Sequence, residues 1–478
     1  MQFVSFAFVA FLPIVFIAYW LVGRLRRGAL AQNLLLILAS YVFYAYWDWR
    51  LLSLLVAVSF IGYLSGWALE RSSDLRIRKA VLAITLLLAL GILGYFKYTN
   101  FFLGSLTTLL NNLGLGAPTY ALKILLPLGL SFYTFQMLTY PLDIYRRQMH
   151  ATRDVVACFA FMSFFAQLTA GPIGRAREML PQYQRRRQFD DARSRDGLRQ
   201  VLWGLTKKVL VADSLAPLVN QAFAGFHTMS SINLFVAAVF FAIQLYADFS
   251  GYSDMAIGIG KLFGLDLPMN FNYPYFSRST AEFWRRWHMS LSFWIRDYVY
   301  IPLGGSRVKT PRRIANVLAS FLIIGIWHGA NWTFIVWGLL NGLYQIPGIL
   351  LGRKTPRDTV AQGRLLPGLR EAGAMLGTFL LAVFAWVFFR ADSVAQAAGY
   401  IARFFTSPRG GLDTSYLPYI ALCGALLVAE WLQRNQTFAL RRVVRLPVPA
   451  RWATYCALLL AMLVLGSHGV RPFVYVQF

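Results

Sequence analysis

FLIIGIWHGANWTFIVWGLL, residues 321–340, contains no Asp, Glu, Lys or Arg and one ionisable side chain, His328. A helix of about 20 apolar residues, rising about 1.5 Å per residue, crosses the hydrocarbon core of a bilayer. Comparable apolar runs are read near residues 3–22, 33–47, 51–69, 80–96, 121–141, 155–170, 201–223, 232–247, 315–340, 374–389, 415–432 and 452–467. Lipid offers no partner to a free backbone N–H or C=O, so such runs must be helical. The expected fold class is therefore an all-α polytopic membrane protein, in one domain over residues 1–478.

Composition agrees. The 478 residues are 58% hydrophobic and only 14% charged, against about 25% charged in an average soluble domain. The net charge of +26 does not point to nucleic acid, because the basic residues fall between the apolar runs: Arg24, Arg26 and Arg27; Arg71, Arg76, Arg78 and Lys79; Arg185 to Arg187; Arg312 and Arg313; Arg441, Arg442 and Arg445. Positive-inside topology produces that pattern, with membrane lipid headgroups as its partners. Run 3–22 has no basic residue before it and several after it, which predicts a retained anchor with its N-terminus outside. Cys158, Cys423 and Cys456 lie in apolar stretches without CxxC spacing and read as small hydrophobes. Gly62/Gly66 and Gly260/Gly264 have the spacing of close helix packing.

The regular pattern fails in the middle. Run 155–170 lies between two basic segments, and 250–305 mixes polar, aromatic and basic residues, so both are expected to be re-entrant or interfacial. Irregular backbone survives at membrane depth only where protein buries it or a cavity is lined by it, so a site is sought in about 245–345. His328 is its sharpest feature, since an ionisable group at that depth is costly and ordinarily faces a functional path. At one turn's spacing Asn331 and Trp332 would lie beside it on a helix. The plainer alternative is a histidine hydrogen-bonded between helices.

FWRRWHMSLSFWIRDYVYIPLGG, residues 283–305, places Trp284, Trp287, Leu291, Trp294 and Ile295 on one helical arc, with Arg285, Ser292 and Arg296 on a polar strip and His288 between them. An interfacial helix with snorkelling arginines explains most of this, but not the histidine. In LYADFSGYSDMAIGIGKLFG, residues 245–264, Asp248 and Asp254 supply too few ligands for a metal. GYSDM also fails the G-x-S-x-G pattern of a nucleophilic serine. No G-x-x-x-x-G-K-[ST] occurs, which excludes the common ATPase transporters. The terminal RPFVYVQF, residues 471–478, follows a crossing from a basic side and is expected outside. Tyr475 in it is either an interfacial anchor or a functional hydroxyl.

Taken together these segments resemble the membrane-bound O-acyltransferase family, in its bacterial branch of alginate and peptidoglycan O-acetylation and teichoic-acid D-alanyl transfer proteins. The resemblance runs nearly end to end, from MQFVSFAFVAFLPIVFIAYW through LPLGLSFYTFQMLTYPLDIYR, TAGPIGR, DFSGYSDMAIGIGKLFG, NFNYPYFSRSTAEFWRRWHMSLSFWIRDYVYIPLGG and IWHGANW to FVYVQF. It implies a ring of roughly 11 transmembrane helices, with re-entrant helices, around a central funnel. It implies that His328 and His288 are the catalytic histidines and that the tail tyrosine, Tyr475, carries the acyl group on the outer face. Trp284, Arg285, Trp327, Asn331 and Trp332 are the candidate substrate-binding residues, with no bound cofactor and no metal. The implied reaction passes an acetyl-type group from a cytoplasmic thioester, acetyl-CoA, across a bacterial inner membrane. A periplasmic SGNH-type O-acetyltransferase partner would then place it on a polysaccharide acceptor. A transporter or flippase with a buried histidine relay, and a lipid or protein acyltransferase of the same family, are the alternatives.

Overall fold

The computed structural model describes residues 1–118, 122–353, 355–356, 358–408, 410–466, 471 and 473–474. All regular structure among them is helical. Seven helical stretches are long and apolar enough to cross a membrane: Gly28–Arg71, Leu75–Asn112, Ser231–Leu262, Trp332–Leu350, Leu369–Arg390, Thr414–Leu432 and Val448–Leu465, with the shorter apolar helix Phe6–Val22 besides. The chain forms two compact units, Met1–Arg195 with Ile259–Pro268, and Asp196–Gly258 with Met269–Phe478.

In the first unit the helix Leu130–Tyr145 is the centre, with every residue from Phe132 to Ile144 buried. Gly62 and Gly66 on helix Leu52–Arg71 form its seat. A Cβ on Gly62 would stand 2.6 Å from Met137 Cγ, and one on Gly66 would run into the Tyr140 ring. The close packing expected at that pair is found. Gly260/Gly264 is different: Gly264 has φ +72 and ends the helix, while Gly260 lies against Leu267.

Run 155–170 is not one helix. It forms Val155–Ser163 and the short turn Phe165–Leu168, broken at Phe164, and every residue from 157 to 174 is buried. Its irregular backbone is met by side chains from neighbouring helices. Phe165 N donates to Ser40 Oγ at 3.0 Å and Gln136 Nε2 donates to Phe161 O at 2.7 Å; beyond the run, at the start of helix Ala176–Gln184, Ala176 N donates to Thr139 Oγ1 at 3.1 Å. Protein thus replaces the water that lipid would deny this backbone.

In the second unit the long helix Ser231–Leu262 has most of its apolar window buried. Gly251 and Gly258, two turns apart on it, bring it against the helix Asp191–Leu205. A Cβ on Gly251 would lie 2.7 Å from Gly204 O, and one on Gly258 would lie 2.5 Å from Gly197 O. That second helix then widens into a π-helical segment, Thr206–Ala212. π segments arise mostly as local bulges and are frequent at functional sites.

Two sequence expectations about elements are corrected here. Residues 283–305 do not form a continuous helix. They give Thr280–Arg286 and Met289–Ile295, separated by His288 in the left-handed region at φ 41, ψ 53. The expected apolar arc is nonetheless the buried face, with Trp284, Trp287, Leu291, Trp294 and Ile295 all in the core. Run 315–340 likewise becomes two helices, Thr310–His328 and Trp332–Leu343. Gly329 is extended, and Asn331 caps the second helix by accepting from Thr333 N at 3.0 Å. The two helices form a tight hairpin because backbone meets backbone at Gly325 and Gly338, which are 3.3 Å apart as measured from a Cβ on Gly325 to Gly338 Cα.

A histidine pair in an indole-lined box

The hairpin corner sets His328 at the last position of its helix, 3% exposed. Around it stand Trp327 and Trp337, each with its ring centroid 5.0 Å away, and Phe389 at 5.3 Å. Trp386 stacks on Trp337 at 5.4 Å, and Trp287 packs on Trp386 at 4.8 Å. His288 completes the group. Its ring centroid lies 6.3 Å from that of His328 and 5.7 Å from that of Trp327.

His288 is fully buried and held in a backbone conformation that costs a non-glycine residue about 1–3 kcal/mol. Asn270 fixes it there. The Asn270 main-chain oxygen accepts from Met289 N at 2.9 Å, and its Oδ1 accepts from Ser290 Oγ at 2.7 Å and from Ser290 N at 3.3 Å. A backbone N–H only donates, so the atom facing Ser290 must be the amide oxygen. His288 Nδ1, 3.1 Å from the same oxygen, is therefore the protonated nitrogen, and the lone pair sits on Nε2. The amide nitrogen of Asn270 is spent on Ser253 Oγ at 3.1 Å. His288 lies outside the candidate spans, and burial lowers its pKa from the usual histidine value, so the ring is neutral.

The box also holds unspent donors. The indole N–H groups of Trp287, Trp337 and Trp386 are buried with no hydrogen-bond acceptor among the described residues. A buried donor left unsatisfied costs about 1–3 kcal/mol, so such a group in a native core asks for an explanation. Behind Asn270 lies a small cavity of about 20 Å³, lined in part by Gln200, Lys207, Ser250, Asp254, Tyr273 and Glu430. Lys207 Nζ sits 2.7 Å from Asp254 Oδ2 and donates to Ser250 Oγ at 2.8 Å.

Of the residues singled out in the sequence, His328, His288 and Trp327 are brought together. Trp284 stands one layer back, 5.8 Å from Trp337, with its indole N–H donated to Asn341 Oδ1 at 3.2 Å. Arg285 is exposed and reaches Pro356 O at 3.1 Å. Asn331 and Trp332 do not lie beside His328 on a helix, because the helix stops at His328. Asn331 is a cap that also donates to Asp392 O at 2.9 Å, and Trp332 is 55% exposed. Tyr475 lies outside the described residues. Asn270, Trp337, Trp386 and Phe389 were not singled out. Only Asn270 carried a local signal, as a polar residue within the irregular 250–305 region.

Residues 148–384 match the membrane-bound O-acyltransferase family. Probable alginate O-acetylases are each 40% identical. The one from Azotobacter vinelandii aligns over 398 residues, 83% of this chain and 76% of the relative. The one from Pseudomonas aeruginosa aligns over 389 residues, 81% of this chain and 71% of the relative. A peptidoglycan O-acetyltransferase from Helicobacter pylori is 36% identical over 414 residues, 81% of this chain and 76% of the relative.

Proposed function

This chain belongs to the membrane-bound O-acyltransferase family, and from that premise we propose that it is an O-acetyltransferase that draws an acetyl group from a cytoplasmic thioester, acetyl-CoA. The group serves O-acetylation of a cell-envelope or extracellular polysaccharide, through a periplasmic SGNH-type partner. The protein is multi-pass, and its proposed place is a bacterial inner membrane with the N-terminus and tail outside. The observation that carries the reading is the pair of buried imidazoles, 6.3 Å apart between centroids, inside a box of indoles.

The chemistry then follows from the chain's own groups. A hydroxyl is a weak nucleophile until a base removes its proton as it attacks. His328 takes that proton while the hydroxyl oxygen bonds to the thioester carbonyl carbon. The carbon–sulfur bond breaks, and the imidazolium returns the proton to the leaving thiolate. His288, held as an Nε2 acceptor through Asn270, is a second buried base beside His328; a hydroxyl has one proton, so His288 supports the site without sharing the proton that His328 takes. While neutral it does not donate to an oxyanion from that nitrogen. The stabilising donors are the indole N–H groups of Trp287, Trp337 and Trp386, whose unmet bonding finds its partner in the tetrahedral intermediate. Tyr475 is the proposed outer-face hydroxyl that receives the acyl group.

His328→Ala should abolish acetyl transfer from acetyl-CoA while expression and membrane insertion stay near wild type. Turnover at the wild-type rate would remove His328 from this role.

A further inference from the structure

Lys208 is buried to 1% exposure within the π-helical segment, and the histidine chemistry does not use it. Its ammonium lies 2.8 Å from Asp213 Oδ1 and 2.7 Å from Asp248 Oδ1, both carboxylates also buried. Two carboxylates around one ammonium leave a negative charge in excess, and burying an uncompensated charge costs several kcal/mol.

Residues near the end of the chain answer that excess. Arg471 adds a positive influence on the Asp213 carboxyl, weaker than that of Lys208. Val474 donates its backbone N–H to Asp248 Oδ2 at 2.7 Å. Between them Phe473, 3% exposed, places its ring centroid 4.4 Å from Lys208 Nζ and 4.7 Å edge-on from the Tyr252 ring. Gly466, just past the last helix, already abuts the π segment, since a Cβ there would stand 2.8 Å from Val209 Cγ1. Asp248 adjoins Phe249, whose ring lies 4.7 Å edge-on from the His288 ring.

We propose that the buried Lys208–Asp213–Asp248 cluster is the seat of the C-terminal tail: it accepts Arg471, Phe473 and Val474 and so fixes the chain immediately before Tyr475. These are positioning residues, since none of them touches the reacting atoms. The inference rests on the reading of Tyr475 as acyl acceptor but is tested apart from it. The widened π turn is what gives the seat its ammonium: Lys207 and Lys208, adjacent in sequence, both point inward, one to Asp254 and one to Asp248.

The test is amide hydrogen exchange of the C-terminal peptide in the full-length, detergent-purified chain, read alongside acyl transfer. The Val474 amide should be protected in the wild type. In Phe473→Ala, which removes a tail contact, exchange should quicken by roughly tenfold or more, with loss of transfer; tenfold corresponds to about 1.4 kcal/mol. The charge argument makes a sharper demand. Asp213→Asn leaves one positive charge in excess and Arg471→Gln one negative, so each should loosen the tail, whereas the double variant is balanced and should be better protected than either. An unprotected tail in the wild type, or a double variant as loose as the two losses added, overturns the seat. Tyr475→Phe separates the two readings. It should stop transfer without changing protection, and full activity in that variant removes the acceptor role while leaving the seat to the exchange data.

Discussion

Asn270 holds His288 and Ser290 with one amide oxygen, and that shared contact sets which imidazole nitrogen carries the proton. Asn270→Leu should therefore lower kcat by about tenfold or more, a loss of about 1.4 kcal/mol or more of transition-state stabilisation, with little change in KM. Asn270→Asp keeps the acceptor but adds a charge that favours the imidazolium. It should retain the ring's placement and move the pH profile of kcat toward higher pH. A loss shared equally between kcat and KM, with an unmoved profile, would reduce Asn270 to packing. The two histidines were legible in the sequence because an ionisable group within apolar residues has few plain explanations. Asn270 was not, because its role arises only when a loop 18 positions upstream of His288 folds onto it. Trp386 was hidden for a simpler reason: an indole in an apolar helix looks like core until its neighbours are known.

At the scale of elements, the composition of 321–340 conceals a corner. Every residue there suits a membrane helix except the short link around Gly329 and Asn331, and a cap asparagine before Trp332 was the available signal. The Gly325–Gly338 contact makes the hairpin tight enough to bring Trp337 against His328. Gly338→Leu would drive a side chain into Phe321 O, 2.5 Å from where its Cβ must sit. It should cost about 1–3 kcal/mol, the usual price of overpacking, and displace the box. Thermal unfolding should show the loss, and acetyl transfer should fall with it. Gly377→Ala is the control. It meets nothing within 4 Å, lies inside the helix Leu369–Arg390, and should be neutral or stabilising by about 0.5–1 kcal/mol. Equal damage from both would mean that the hairpin's close approach is not what matters.

For the whole molecule, the fold class and the membrane habit followed from apolar runs and interleaved basic residues, which depend on solvent physics and not on fine geometry. What stayed out of reach were the places where helices break, because a buried break and a continuous span have the same composition. The periplasmic partner enters the proposed function mainly on the resemblance to the polysaccharide O-acetylation branch of the family. Purified protein with acetyl-CoA and polysaccharide alone should leave the polymer unmodified, with acetylation restored by the partner. Polymer acetylation by the chain unaided would contradict this.

The buried segment 157–174 has one more consequence, for how the protein is made. It has no continuous helix to insert by itself, and backbone groups along it are met by Ser40 and Gln136. Both lie on helices earlier in the chain, Gly28–Asp48 and Leu130–Tyr145. Synthesis runs from the N-terminus, so these partners leave the ribosome before the segment does. The order of the sequence is thus also a workable order of assembly, with the irregular piece delivered after the helices that meet its backbone.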